Sequence, residues 1–84
     1  MNWTLLVTKP ARKAIEKLPN RDQLRIERAL DELENDPYSG DIKRLQPLGW
    51  RRRVGNYRIF YDLLMTEKQI VVTDISRRTS ITYK

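Results

Sequence analysis

Over the first eight residues Trp3, Leu5 and Val7 alternate with Thr4, Leu6 and Thr8, the period of a half-buried strand, so a strand is predicted over residues 2–8. The period then lengthens. Thr8 is a good N-cap, Pro10 suits a first helical turn, and Ala11, Ala14, Ile15 and Leu18 recur at helical spacing, which predicts a short helix stopped at Pro19. A second stripe, Ile26, Ala29, Leu30 and Leu33, predicts a helix from Asn20 to about Asn35, with Asn20 and Gln23 resembling a capping box. The Asp-Pro step and Ser-Gly of "NDPYSGD" (35–41) end it in a loop. "KRLQPLG" (43–49) is predicted to stay irregular, because Pro47 and Gly49 discourage a strand. From Trp50 the period is two again: a strand to Val54, a Gly55-Asn56 turn, a strand from Tyr57 to Met65, a turn near Glu67-Lys68, and a strand from Gln69 to about Arg77. The order β-α-α-β-β-β predicts an α+β fold, a two-helix hairpin packed on one face of a small, mostly antiparallel sheet with the other face partly open. The 84 residues fit one domain, 1–84.

The tight turn fixes faces as well as strands. If Val54 pairs with Tyr57, Arg53 lies opposite Arg58, and alternation puts Arg51, Arg53, Arg58, Phe60 and Asp62 on one face. Trp50, Arg52, Val54, Tyr57, Ile59, Tyr61 and Leu63 share the other, the expected core side. A hairpin turning at Glu67-Lys68 would bring Arg77 opposite Arg58, a pairing that a one-residue slip would break. Like charges opposed across strands destabilise a sheet. A cluster of forks makes sense where phosphate oxygens sit between them, each guanidinium holding oxygens bidentately. Arg52, and Arg44 with it, is explained as well by a long stem covering apolar surface. On the helices, Arg12/Glu16 and Arg28/Glu32 at i,i+4 spacing read as a solvated face of mixed sign.

Charge is distributed unevenly. The net charge is +6, with seven Lys/Arg against eight Asp/Glu in residues 1–42 and ten against three in residues 43–84. Such asymmetry in one small domain points to a polyanion, nucleic acid before anionic membrane. The 39% hydrophobic and 33% charged residues suit a small core and no membrane span, and "MNWTLLVTKP" lacks the features of a signal peptide, so a cytoplasmic protein with no membrane partner is expected. With no cysteine and no histidine, disulfides, thiol chemistry and the commonest general base are excluded, and neither a cofactor nor a metal site is expected.

The run "LQPLGWRRRVGNYRIFYDLL", followed by "IVVTDISRRTSITY" and preceded by "LVTKPARKAIEKLP", resembles the RelE/ParE toxin superfamily over essentially the whole chain. The Trp-Arg-x-Arg-Val-Gly-x-Tyr-Arg-Ile-x-Tyr pattern is its specific part. The resemblance implies a RelE-type toxin of a type II toxin-antitoxin system: a ribosome-dependent endoribonuclease that cuts messenger RNA in the ribosomal decoding site and is held inactive by a cognate antitoxin protein. By the same resemblance the basic strand residues fall on Arg51 and Arg53, the phosphate-binding arginine on Arg58, the late-strand arginine on Arg77 or Arg78, and the C-terminal tyrosine on Tyr83. Well-known members carry lysines where this chain has Arg51 and Arg53; arginine stays protonated, so the general base is left unassigned.

These residues suit a metal-free reaction in which the RNA 2′-OH attacks the adjacent phosphate. Arg58 and Arg77 are expected to stabilise charge on that phosphate, with Tyr83 moving a proton or stacking a base. Arg51, Arg53, Arg78, Lys43 and Arg44 are expected to bind the backbone. Three alternatives stand beside this: a ParE-type poison of DNA gyrase acting by protein contact, a nucleic-acid-binding domain without catalysis, and an inert relative. Leu45, Leu48 and Leu64 are apolar positions that either receive an antitoxin helix or complete an ordinary core.

Overall fold

The computed structural model describes residues 3–45 and 49–77. The elements run β1 (Thr4–Val7), α1 (Lys9–Glu16), α2 (Asn20–Asn35), β2 (Asp41–Arg44), β3 (Trp50–Val54), β4 (Tyr57–Leu64) and β5 (Gln69–Arg77). The five strands form one sheet in the order β1-β5-β4-β3-β2, with β1 parallel to β5 and every other pair antiparallel. Both helices pack on one face, giving the expected α+β architecture.

The core is the apolar stripe of each helix against one side of the sheet. Ala11 and Ile15 from α1 and Ile26, Ala29, Leu30 and Leu33 from α2 meet Tyr57, Ile59, Tyr61, Ile70, Val72 and Ile75, all buried. Tyr61 is enclosed with its hydroxyl donating to the carbonyl of Pro37 at 2.9 Å, so the buried oxygen is satisfied. Arg52 takes a core-side position, as the alternation requires. Its guanidinium donates to Glu32 and to the carbonyl of Ala29 and lies against Gly40, where a Cβ would come within 2.6 Å of it. Gly40 has φ +81, so both its backbone and its missing side chain are needed there.

Four local expectations are corrected. Asp41–Arg44 is a strand, paired with β3 from Asp41↔Arg53 to Arg44↔Trp50. The breakers Pro47 and Gly49 lie beyond its end, and as a short edge strand with one half-buried apolar residue, Ile42, it carries almost no pattern. Asn20 caps nothing: Pro19 holds the N-cap position of α2, and the Gln23 amide instead donates to the carbonyl of Leu18 at 2.8 Å, tying α2 to the end of α1. Thr8 does hold the N-cap position of α1, but its hydroxyl accepts no helix N–H and instead donates to the carbonyl of Val72 of β5 at 2.9 Å. The helix charges pair across elements, Arg12 with Glu27 and Glu32 with Arg52, in place of the i,i+4 partners.

Burial raises the Tyr61 phenol from 10.0 to about 12. A phenol harder to ionise in the folded state than in the unfolded chain contributes stability that is fully present below about pH 10 and is lost as pH rises through about 12. In an alkaline titration followed by tyrosinate absorbance and unfolding, the late-ionising tyrosine and its share of the stability loss should both disappear in Tyr61→Phe.

Candidate functional site

The β3–β4 hairpin builds the site. Gly55 alone takes a positive φ, +58, in the two-residue loop, the requirement of a type II′ turn at its first central position. That turn pairs Val54 with Tyr57 and therefore Arg53 with Arg58, and sets Arg51 opposite Phe60. Strand β2 extends the rows, with Asp41 opposite Arg53 and Lys43 opposite Arg51. On β5, Ser76 lies opposite Arg58 and Asp74 opposite Phe60. Partners across a ladder share a face, so Lys43, Arg51, Arg53 and Arg58 gather on the side away from the helices.

None of these four side chains makes an ion pair within 4 Å among the described residues. Arg53 and Lys43 are exposed, whereas Arg51 and Arg58 are half-buried. The Nε atoms of Arg51 and Arg58 are buried and meet no protein acceptor. Their stems are thus held against the sheet while the outer nitrogens carry charge to the surface, which limits the entropy lost when an anion is gripped. The arrangement suits an extended polyanion that supplies several oxygens at once.

Two expected members lie elsewhere. Arg77 pairs with Tyr57 on the helix side, not with Arg58. The β4–β5 hairpin pairs Leu64 with Gln69, so its loop is two residues longer than a turn at Glu67-Lys68 requires, a shift that by itself leaves every face unchanged. A β-bulge does the rest: Phe60 pairs with Asp74 and Tyr61 with Val72, so Thr73 is an extra residue and inverts the alternation beyond it. Arg44 pairs with Trp50, its guanidinium 6.0 Å from the centre of that ring, again on the helix side. Arg78 and Tyr83 lie outside the described residues, as does Leu48. Ser76 and Asp41 join the face unannounced; the alternation of Asp41, Ile42 and Lys43 was the available signal for the second, and nothing in the sequence marks the bulge that turns out the first.

On the helix side of the hairpin, Tyr57 donates to the Asp22 carboxylate at 2.6 Å. That bond first, and burial second, raises its phenol above the usual tyrosine value. Tyr57 is therefore a neutral donor and a strut between α2 and β4, unsuited to be the missing base. Among the described residues, no three carboxylates come together to hold a metal ion, and no helix is long and apolar enough to cross a membrane.

The two arginines that neighbour each other in sequence should behave differently. Arg53→Thr relieves the like charge opposite it on β4, Arg58, and removes the partner of the opposite charge on β2, Asp41, two effects of about 0.2–1 kcal/mol that offset, so stability should change little at low or high salt. Arg52→Thr removes the buried contacts to Glu32 and Ala29 and should destabilise the fold by about 1–3 kcal/mol. Urea unfolding at two salt concentrations checks both.

A match to the family of the ParE toxin of type II toxin-antitoxin systems, parDE, covers residues 3–81. Among solved structures, RelE in the archaeal RelE–RelB complex of Pyrococcus horikoshii is similar at TM-score 0.84 and 25% identity, over 96% of this chain and 100% of that one. A chain of the RelBE2 toxin-antitoxin complex of Mycobacterium tuberculosis matches at TM-score 0.83 and 23% identity, over 93% and 100%. The isolated RelE toxin of E. coli matches at TM-score 0.80 and 17% identity, over 94% and 87%. These last two identities bear on the fold alone. Against curated proteins the sequence has no significant match.

Proposed function

The chain belongs to the ParE toxin family of type II toxin-antitoxin systems, and from that premise we propose that it is a RelE-like endoribonuclease that cuts messenger RNA in the ribosomal decoding site of the cytoplasm. The observation that carries this reading is the group of Lys43, Arg51, Arg53 and Arg58 on the open sheet face, without an ion pair among the described residues and with Arg51 and Arg58 half-buried. A toxin acting only by protein contact has no need to hold four cations together against their own repulsion. The likeness to an archaeal RelE in complex with RelB supports the same branch.

The reaction is an in-line displacement within the RNA. The 2′-oxygen forms a bond to phosphorus as its proton is taken up, the bond to the 5′-oxygen breaks, and that oxygen is protonated, leaving a 2′,3′-cyclic phosphate and a 5′-hydroxyl. Arg58, central on the face, stabilises the charge that grows on the non-bridging oxygens. Arg51, Arg53 and Lys43 hold the flanking backbone so that the 2′-oxygen stays in line. Each of these groups is a cation that donates and cannot accept, so the proton carrier lies outside the group, and Tyr83 or a group of the ribosome fills that place. Ser76, opposite Arg58, supplies a hydroxyl beside the bound phosphate.

A cognate antitoxin is the second partner, by likeness to RelE of the RelE–RelB complex. Leu64 is exposed and shares the arginine face, with Leu6 exposed on β1 two strands away; these suit apolar side chains of such a partner better than Leu45, which is half-buried.

The match to the ParE family favours one other reading, a ParE-type toxin, which by the resemblance noted above would poison DNA gyrase through protein contact. Cleavage of a messenger RNA on programmed ribosomes, with product ends mapped, separates the two. Wild type should cut and leave cyclic phosphate ends, and Arg58→Ala should lose about 10²- to 10³-fold in rate at saturating ribosome. Absence of cutting by folded protein, together with inhibition of gyrase supercoiling, would overturn the nuclease and install the gyrase reading.

A further inference from the structure

The tip of the β3–β4 hairpin is basic on its second side as well. Arg25 and Arg28, one turn apart on α2, line a cavity of about 280 Å³ together with Glu32, Arg52, Val54 and Gly55. A Cβ added at Gly55 would come 2.7 Å from Nη1 of Arg25, so that guanidinium rests directly on the bare backbone of the turn. Glu32, the one carboxylate in the lining, is committed to Arg52. This leaves Arg28, four residues before Glu32 on the helix, and Arg25 without an ion pair among the described residues. Arg77 adds a third cation on this side, opposite Tyr57 at the start of β4. On the sheet face, Arg53 and Arg58 stand one position beyond the Val54–Tyr57 pair that closes the same turn.

We propose that the cavity between α2 and the hairpin tip is a second RNA phosphate site, in which Arg25 and Arg28 grip the sugar-phosphate backbone on the helix side while Arg53 and Arg58 grip it on the sheet side. The proposal rests on the RNA-cleaving reading and extends it: the toxin clamps RNA around the tip and does not merely lay it on the open face. Continuity decides the occupant. A nucleic-acid strand presents a phosphate at every nucleotide, and can place successive charges on both sides of a two-residue turn, which a lone carboxylate cannot. The RNA is either the messenger or the ribosome's own, two sources with the same phosphodiester chemistry.

The test is the salt dependence of binding by R25A/R28A and wild type, measured with two probes: ribosomes without messenger, and a short single-stranded RNA whose reacting 2′-OH is replaced by hydrogen. Both residues are exposed, so the fold should survive, and a thermal melt controls for it. Binding by the variant should weaken at low salt, and the slope of log affinity against log salt should become shallower by about 1–2, with R25K/R28K restoring it. The effect with ribosomes alone assigns ribosomal RNA, and with both probes the messenger. Arg53→Ala runs beside it. If Arg53→Ala weakens RNA binding and R25A/R28A leaves the slope unchanged, the second site is overturned and the sheet-face site stands. If neither variant alters binding, the RNA reading itself fails. An unchanged slope with weakened binding of the antitoxin gives the cavity to a protein partner and overturns the proposal.

Discussion

The two residues of the Gly55-Asn56 turn determine where every arginine of the β3–β4 hairpin points. With Val54 paired to Tyr57, there is no freedom left: Arg53 must face Arg58 on one side of the sheet, and Arg52 must enter the other. Three consecutive arginines therefore meet different environments. Arg51 is half-buried beside Phe60, Arg52 is buried under α2 with Glu32, and Arg53 is exposed between Arg58 on one strand and Asp41 on the other. A slip of one residue would drive Arg51 and Arg53 into the core and carry Arg52 out of it, so the buried apolar set and the basic surface enforce the same register.

The helix layer depends on this placement in turn. Arg52 reaches α2 from the sheet and takes Glu32, the carboxylate that helical spacing would have given to Arg28. One ion pair made across elements thus leaves a cation unpaired on the helix, beside the turn that set the register. Tyr57 fastens the same region, its phenol held by Asp22 of α2 while its strand neighbour Arg58 points to the opposite face. The repulsion between Arg53 and Arg58 is borne by a hairpin anchored on its core side by Tyr57, Ile59 and Tyr61, all buried.

What could be read from the sequence divides along physical lines. The helices, the β3–β4 hairpin and the division of residues 50–63 between two faces were legible, because strong periodicity and a two-residue turn leave few alternatives. The strand Asp41–Arg44 was not, since four residues at a sheet edge with one apolar side chain carry little pattern and gain their strandedness from β3. The face of Arg77 was lost for a different reason: Thr73 is inserted opposite the Phe60–Tyr61 step, and a bulge of one residue inverts alternation without a composition of its own. The helix charges misled because the i,i+4 rule knows nothing of Arg52, twenty or more residues away in sequence and adjacent in space. Of the basic residues expected to act together, Lys43, Arg51, Arg53 and Arg58 do share a face, while Arg44 and Arg77 were drawn to the other side by strand parity.

The central claim is that register, and not basic composition, makes the phosphate-binding face. The most direct test follows the arginine Nε–H resonances in an NMR titration with a short RNA that lacks the reacting 2′-OH, at low ionic strength. The Arg51, Arg53 and Arg58 signals should move together and saturate, while that of Arg44 stays in place. Equal movement of all four would mean diffuse attraction to a basic chain, and movement of Arg44 without Arg58 would put the RNA on the wrong face; either would contradict the account.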